Sequence, residues 1–251
     1  MKLSKILALL LALCLFASTA CASTFIDAHG NEIQLDDSLE AYAAVTLVGA
    51  NDAARQGETN LGDLWTDALR WFAVSGEINA AFDEDDVKAG NDHIAVDADH
   101  VVALWNGGNL RADIAEGTFG AEALAEVLPF PNKVAVVYMS GAQLLEALEA
   151  ASQALPYTAE MADACASLMQ VSGLTYTVDT AKAYDALEAY GDHWFTAGSV
   201  SRVSISDVNG QPFDETATYA VVTSNANFNG MDSSYVLKAA AEANEQSAVT
   251  T

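Results

Sequence analysis

Apolar positions along this chain recur with two different periods. Leu61, Leu64, Trp65, Ala68, Leu69 and Phe72 repeat at helical spacing, which predicts one long amphipathic helix with a wide core-facing stripe. Val101 to Trp105 is instead a continuous apolar run of strand length, closed by Asn106-Gly107-Gly108. This predicts a buried strand ending in a turn where backbone can approach a neighbour closely. Lys133 to Met139, Val171 to Val178, Arg202 to Val208 and Thr218 to Ser224 read as further strands, and Ala121 to Val127 and Tyr235 to Ala243 as helices. Ser140-Gly141-Ala142-Gln143 is a capping box that opens another helix through Leu144, Leu145 and Leu148. Near the start, Thr24 to Leu35 reads as a short hairpin turning at Asp27 to Asn31. The sum is an α+β fold, a mixed β-sheet flanked by helices.

Three stretches interrupt the pattern. Gly76 to Asp99 turns acidic, and Asp83-Glu84-Asp85-Asp86 reads as a solvated loop, since it lacks the ligand alternation and closing glutamate of a calcium-binding loop. Pro156 to Ala166 reads as an insertion with a short helix. Asp179 to Val200 is a second insertion carrying Tyr184, Tyr190, Trp194 and Phe195, which either packs over the core or edges a ligand site. Residues 1–22 have the form of a secretory signal: Lys2 and Lys5, an apolar core from Ile6 to Phe16, and the small-residue site Ala20-Cys21-Ala22. The apolar stretch is too short for a transmembrane helix. Two fates of the leader stay open, cleavage with secretion or lipid attachment at Cys21, and both put the protein outside the cytoplasm. The expected organisation is a leader at 1–22, an appendage at 23–50, one domain at 51–245 and a tail at 246–251.

Charge narrows the partners. Loss of residues 1–22 removes two of the 10 basic residues and none of the 35 acidic ones, moving the net charge from −25 to −27. Nucleic acid is thereby excluded as a partner class. Cys14 and Cys21 fall in the leader, which leaves Cys165 alone in the mature chain, so no intramolecular disulfide is expected. Arginines are scarce: Arg55, Arg70, Arg111 and Arg202. Arg111 stands just past the strand that ends at Trp105, and the aromatic Phe130 follows in Leu128-Pro129-Phe130. A guanidinium offers a planar fork of donors to phosphate or carboxylate oxygens, and an aromatic ring can stack on a flat ligand.

Six strings in order resemble the C-terminal domain of the bacterial and animal 5'-nucleotidases. They are Arg55-Gln56-Gly57-Glu58-Thr59-Asn60-Leu61-Gly62-Asp63-Leu64, Asn106-Gly107-Gly108-Asn109-Leu110-Arg111, Val127-Leu128-Pro129-Phe130, Ser140-Gly141, Gln170-Val171-Ser172-Gly173-Leu174-Thr175-Tyr176 and Gly230-Met231-Asp232. The resemblance implies that Arg55, Asn106, Gly108 and Arg111 converge on the ribose and phosphate side of a nucleotide. It further implies that Asp232 accepts from sugar hydroxyls and that Phe130 stacks on the base. The second aromatic wall of the family falls at Ala226 here, and Phe228, two residues on, would face the same side if this segment were an extended strand.

In full-length relatives an N-terminal metallophosphatase domain carries two metal ions and performs the hydrolysis. Asp27-Ala28-His29 has the Asp-x-His form that opens such a metal site, but His93, His100 and His193 lie in no matching string. No catalytic residue, metal ligand or cofactor is therefore expected in this chain, and a divalent metal pair would belong to the missing metallophosphatase half. Three functions stay open: a stand-alone domain binding a nucleoside or nucleotide, the substrate-holding part of a split 5'-nucleotidase with a separate metallophosphatase chain, or a surface-interaction module whose pocket is filled.

Overall fold

In the computed structural model the described residues are 23–26, 32–35, 41–82, 94, 96–158, 165–190 and 194–250. Ser23–Ile26 (β1) pairs antiparallel with Glu32–Leu35 (β2), Phe25 opposite Ile33, as the hairpin pattern predicts. Ala41–Ala43 (β3) precedes two helices, Asn51–Gln56 (α1) and Asn60–Val74 (α2). The stripe of α2 is buried along its length, and the Thr59 hydroxyl caps the helix by accepting from Gly62 N at 3.1 Å. Val101–Asn106 (β4), Gly117–Phe119 (β5), Ala121–Val127 (α3), Val134–Ser140 (β6) and Gly141–Ala151 (α4) follow. The capping box forms as read: Gln143 N donates to Ser140 Oγ, and Ser140 N to Gln143 Oε1. The remainder comprises Met169–Ser172 (β7), Leu174–Val178 (β8), Ala186–Tyr190 (β9), Trp194–Ala197 (β10), Val203–Val208 (β11), Gln211–Pro212 (β12) and Thr218–Ser224 (β13). A short helix Asn225–Phe228 (α5), the helix Tyr235–Ala243 (α6) and Ala248–Val249 (β14) complete it.

The frame is a five-stranded mixed sheet in the order β14-β6-β13-β4-β7, in which β13 and β4 run parallel and the other neighbours antiparallel. All six residues of β4 are buried, because the strand is paired on both edges and covered on both faces. That is why its sequence is a continuous apolar run and not an alternating one. Val101, Ala103 and Trp105 face α2, together with Val136, Ala220 and Val222. Val102 and Leu104 face the opposite core, shared with α4, α6 and strands β8 and β11. Trp105 meets Trp65 edge to face at a centroid distance of 5.3 Å, locking α2 to the centre of the sheet.

Several expectations are corrected. The run Val171 to Val178 is two strands, since Gly173 takes φ +83 and sends the chain from the main sheet into a smaller one ordered β12-β11-β8. Part of the expected appendage is domain: β3 pairs with β5, and Leu47 bridges Ile114. The expected tail contains β14, an edge strand on β6, with Thr250 N donating to Val134 O at 2.8 Å. Short segments of this kind carry too little periodicity to be seen, and edge pairing alone fixes them. The second insertion forms the hairpin β9–β10, which lies against α4, and Ala197 N donates to the Tyr235 hydroxyl oxygen at 3.2 Å. Cys165–Ser167 forms a single 3-10 turn within the first insertion. The leader, His29 and the acidic run 83–86 lie outside the described residues. Among those described, no helix is long and apolar enough to cross a membrane.

α1 lies directly on the turn after β4. A Cβ on Gly107 would stand 1.9 Å from the Ala54 carbonyl oxygen, which no relaxation of a side chain relieves because the obstacle is backbone. Gly107→Ala is expected to destabilise the fold by about 2 kcal/mol, read as a lowered urea midpoint with an unchanged denaturant slope. A variant as stable as the parent would show that α1 moves freely over the sheet end.

Candidate functional site

Because β4 and β13 are parallel, their C-terminal ends Asn106 and Ser224 lie at the same end of the sheet. The turn 107–111 and the loop 225–234 leave from there side by side, and α1 packs over the turn. Three sequence-distant segments therefore meet at one place. Gln170 fixes the third: its Nε2 donates to Ala54 O and Gly57 O, both at 2.9 Å, and its Oε1 accepts from Thr59 N at 3.0 Å. Asp113 holds the other end of α1, its Oδ1 accepting from Gly49 N and Ala50 N at 2.8 Å. Arg55, near the end of α1, is thereby held in a buried position.

Asn106 is fully buried, and its carboxamide bonds the protein's own groups. Nδ2 donates to Asp232 Oδ2 at 2.7 Å and to Ala166 O at 3.2 Å, while Oδ1 accepts from Asn109 Nδ2 at 2.6 Å. In this structure Asn106 stands behind Asp232 as its support. Gly108 has a packing duty of its own: a Cβ there would come within 2.6 Å of Ala166 Cβ. The Arg111 side chain is exposed, and its Cζ lies over the Phe130 ring at 5.0 Å from the centroid. Phe130 sits between Pro129 and Pro131, which restrict its backbone, and keeps 44% of its surface exposed.

Arg55, Arg111 and Asp232 form one electrostatic group. Burial pushes the Asp232 carboxyl up to about 6, against the downward pull of both guanidinia. Burial, then the neighbouring positive charge of Arg55, lowers Arg111, with Asp232 opposing. Both guanidinium charges thus act on the same carboxylate.

Phe228 does not join this arrangement in the manner expected. Residues Asn225–Phe228 are helical, not extended, and turn by about 100° per residue, so Phe228 and Ala226 do not share a face. Phe228 packs against the core beneath α4 and α6. A segment of only four residues carries no periodicity that would reveal its helical turn. Supporting residues that sequence reasoning passed over are Asn109, Asp113, Gln170 and Asn227. Each is buried or bonds buried backbone from far along the chain, and no local pattern marks such partners.

The 225–234 loop ends in strain. Asp232 and Ser233 both take left-handed backbone, φ +54 and +61, at a cost of about 1–2 kcal/mol each for residues other than glycine. Asn227 offsets this by donating from Nδ2 to Ser234 Oγ at 2.9 Å, and Met231 N returns to Ala226 O at 3.0 Å.

The donor set here, two guanidinia, one carboxylate and one engaged carboxamide, suits an anion and does not suit a divalent metal. Elsewhere, burial with repulsion from Glu58 and Asp67 raises Asp63 to about 6. Among the described residues no group of three or more His, Cys, Asp or Glu is placed to hold a metal ion.

Fold and site together define an α+β domain that gathers Arg55, Arg111, Asp232 and the exposed ring of Phe130 at one end of a mixed sheet. The family described as 5'-nucleotidase, C-terminal domain, matches residues 38–239, and the chain belongs to it. The chain is 28% identical over 153 residues to the trifunctional nucleotide phosphoesterase protein YfkN of Bacillus subtilis (strain 168), covering 61% of this chain and 9% of that protein. It is 32% identical to the solved 5'-nucleotidase precursor from Thermus thermophilus, with a TM-score of 0.53, covering 79% of this chain and 31% of that one. The chain thus spans less than a third of the length of either relative.

Because its folded value lies above the ordinary 3.8, Asp232 contributes stability that is present below about pH 4 and lost as pH rises through about 6. Asp232→Asn is therefore expected to melt about 2–4 °C above the parent at pH 7, with the gain vanishing near pH 4. Equal melting at pH 7 would mean that the carboxylate sits there without penalty.

Proposed function

We propose that this domain binds a nucleoside, nucleotide or closely similar small ligand, and that it performs no hydrolysis alone. The observation that carries this is the meeting of Arg55, Arg111 and Asp232 beside the exposed Phe130, in a chain with net charge −25 and only four arginines. The guanidinia take the anionic part of the ligand, Asp232 accepts from its hydroxyls, and Phe130 stacks on its ring. Stacking of a base on an aromatic side chain contributes about 1–3 kcal/mol. The exposure of Phe130 favours an open platform over a filled pocket. The relatives' names, a nucleotide phosphoesterase and a 5'-nucleotidase precursor, support the ligand class, and the word precursor supports placement outside the cytoplasm.

A second reading has its own support: both relatives are much longer phosphoesterases of which this chain matches one part. On that reading the domain holds substrate for a metallophosphatase unit, which supplies the metals and the chemistry. Phosphate release from AMP only when such a unit and a divalent metal are added would favour it.

Calorimetry on the purified domain with adenosine, AMP and UDP-glucose tests the first reading, and heat is expected with at least one of them. Phe130→Ala should weaken that binding about tenfold, and Arg111→Ala should weaken AMP more than adenosine. Absence of heat with all three ligands overturns the proposal.

A further inference from the structure

The strained turn that carries Asp232 is braced by a residue from a separate segment of the chain. Gln153 lies in the 3-10 turn Ser152–Ala154 that ends α4, far in sequence from the loop. Its Nε2 donates a hydrogen bond to Ser233 Oγ, and both side chains are buried. The other half of that carboxamide, Oε1, is buried without a hydrogen-bond partner among the described residues. A buried amide that leaves its oxygen unmatched has its orientation set by the single bond it makes.

The turn holding Gln153 is itself fixed. Arg202, 2% exposed, donates from Nη1 to Ser152 O at 2.8 Å and from Nη2 to Leu155 O at 2.5 Å. The fully buried Glu149 on α4 accepts at Oε2 from Arg202 N and Val203 N, at 2.9 and 2.8 Å. Ser167 Oγ donates to Ala151 O at 3.0 Å. A rigid platform of α4, β11 and Arg202 therefore reaches, through Gln153, the residue that follows Asp232.

We infer that Gln153 is the positioning residue for Asp232: its bond to Ser233 holds the left-handed Asp232-Ser233 pair, and so sets where the carboxylate stands between Arg55 and Arg111. This rests on the reading of Asp232 as part of the ligand site. Asn106 bonds the carboxylate directly, and Gln153 holds the residue after it through the Ser233 hydroxyl. Without Gln153 the turn relaxes toward ordinary backbone angles, Asp232 gains water, and the acceptor for the ligand hydroxyls leaves its place.

The test follows the Asp232 carboxyl by carbon-13 NMR across pH 4 to 8 in the full chain, with AMP affinity by calorimetry alongside. In the parent the midpoint is expected near 6. In Gln153→Leu it is expected to move down toward the ordinary carboxylate range, with AMP binding about tenfold weaker. Ser233→Ala removes the same bond by deleting one oxygen and is expected to show the same two changes, which keeps the test available if Gln153→Leu does not fold. A general loss of packing would lower melting without relocating this one midpoint. A parent-like midpoint in Ser233→Ala or in folded Gln153→Leu overturns the inference. Asp232→Asn separates the two claims: undiminished AMP affinity there would sink the ligand role of Asp232, while a moved midpoint in the other variants would still support the Gln153 brace.

Discussion

A carboxamide with no access to water organises this domain. Asn106 ends the fully buried strand β4 at zero exposure, where each unmatched polar atom would cost about 1–3 kcal/mol. Its partners come from three other parts of the chain: Asn109 in the following turn, Ala166 before β7, and Asp232 before the last helix. Satisfying one side chain therefore draws together the segments that build the site. The Gly107 contact beneath Ala54 closes the arrangement from the opposite side, by letting α1 settle on the strand end with Arg55.

Around that centre the charges are arranged against the character of the rest of the molecule. The chain carries 35 acidic residues, yet at the sheet end two of its four arginines act on Asp232, a carboxylate that burial already disfavours. A net-negative surface repels an anion at long range, within a Debye length of about 8–10 Å at ordinary salt. On the proposed reading, short-range contacts overcome that repulsion, which rewards bidentate guanidinium geometry and an aromatic face over simple charge attraction.

The same site is locally unfavourable for folding. Two consecutive left-handed residues and a half-buried carboxylate are held by buried amides on either side and by the loop's own bonds. Such local conflicts recur where a structure keeps a group in a position that function uses and folding would not choose. The platform beneath, with Glu149 capping the start of β11 and Arg202 bonding the end of α4, is where that rigidity originates.

Regular elements were legible in the chain because burial imposes a period on it. The stripe from Leu61 to Phe72, the apolar run of β4, the capping box at Ser140 and the limits of β13 and α6 each follow from local spacing or local bonding. The ordered strings also pointed to the right family and to Arg55, Arg111, Phe130 and Asp232 as neighbours of one place, and the structure does bring the two arginines to Asp232 and Phe130 to Arg111. Tertiary structure alone decided the rest. Edge strands β3 and β14 exist through pairing, not through their own few residues, and α5 turns Phe228 into the core through a helix too short to announce itself. Asn106 took the role of support, and Gln153 and Gln170 that of braces, because a buried amide is fixed by whichever partners the fold carries to it, and two of these lie 60 and 126 residues away for Asn106 and one lies 116 away for Gln170. Sequence spacing encodes which face is buried; it does not encode what meets there.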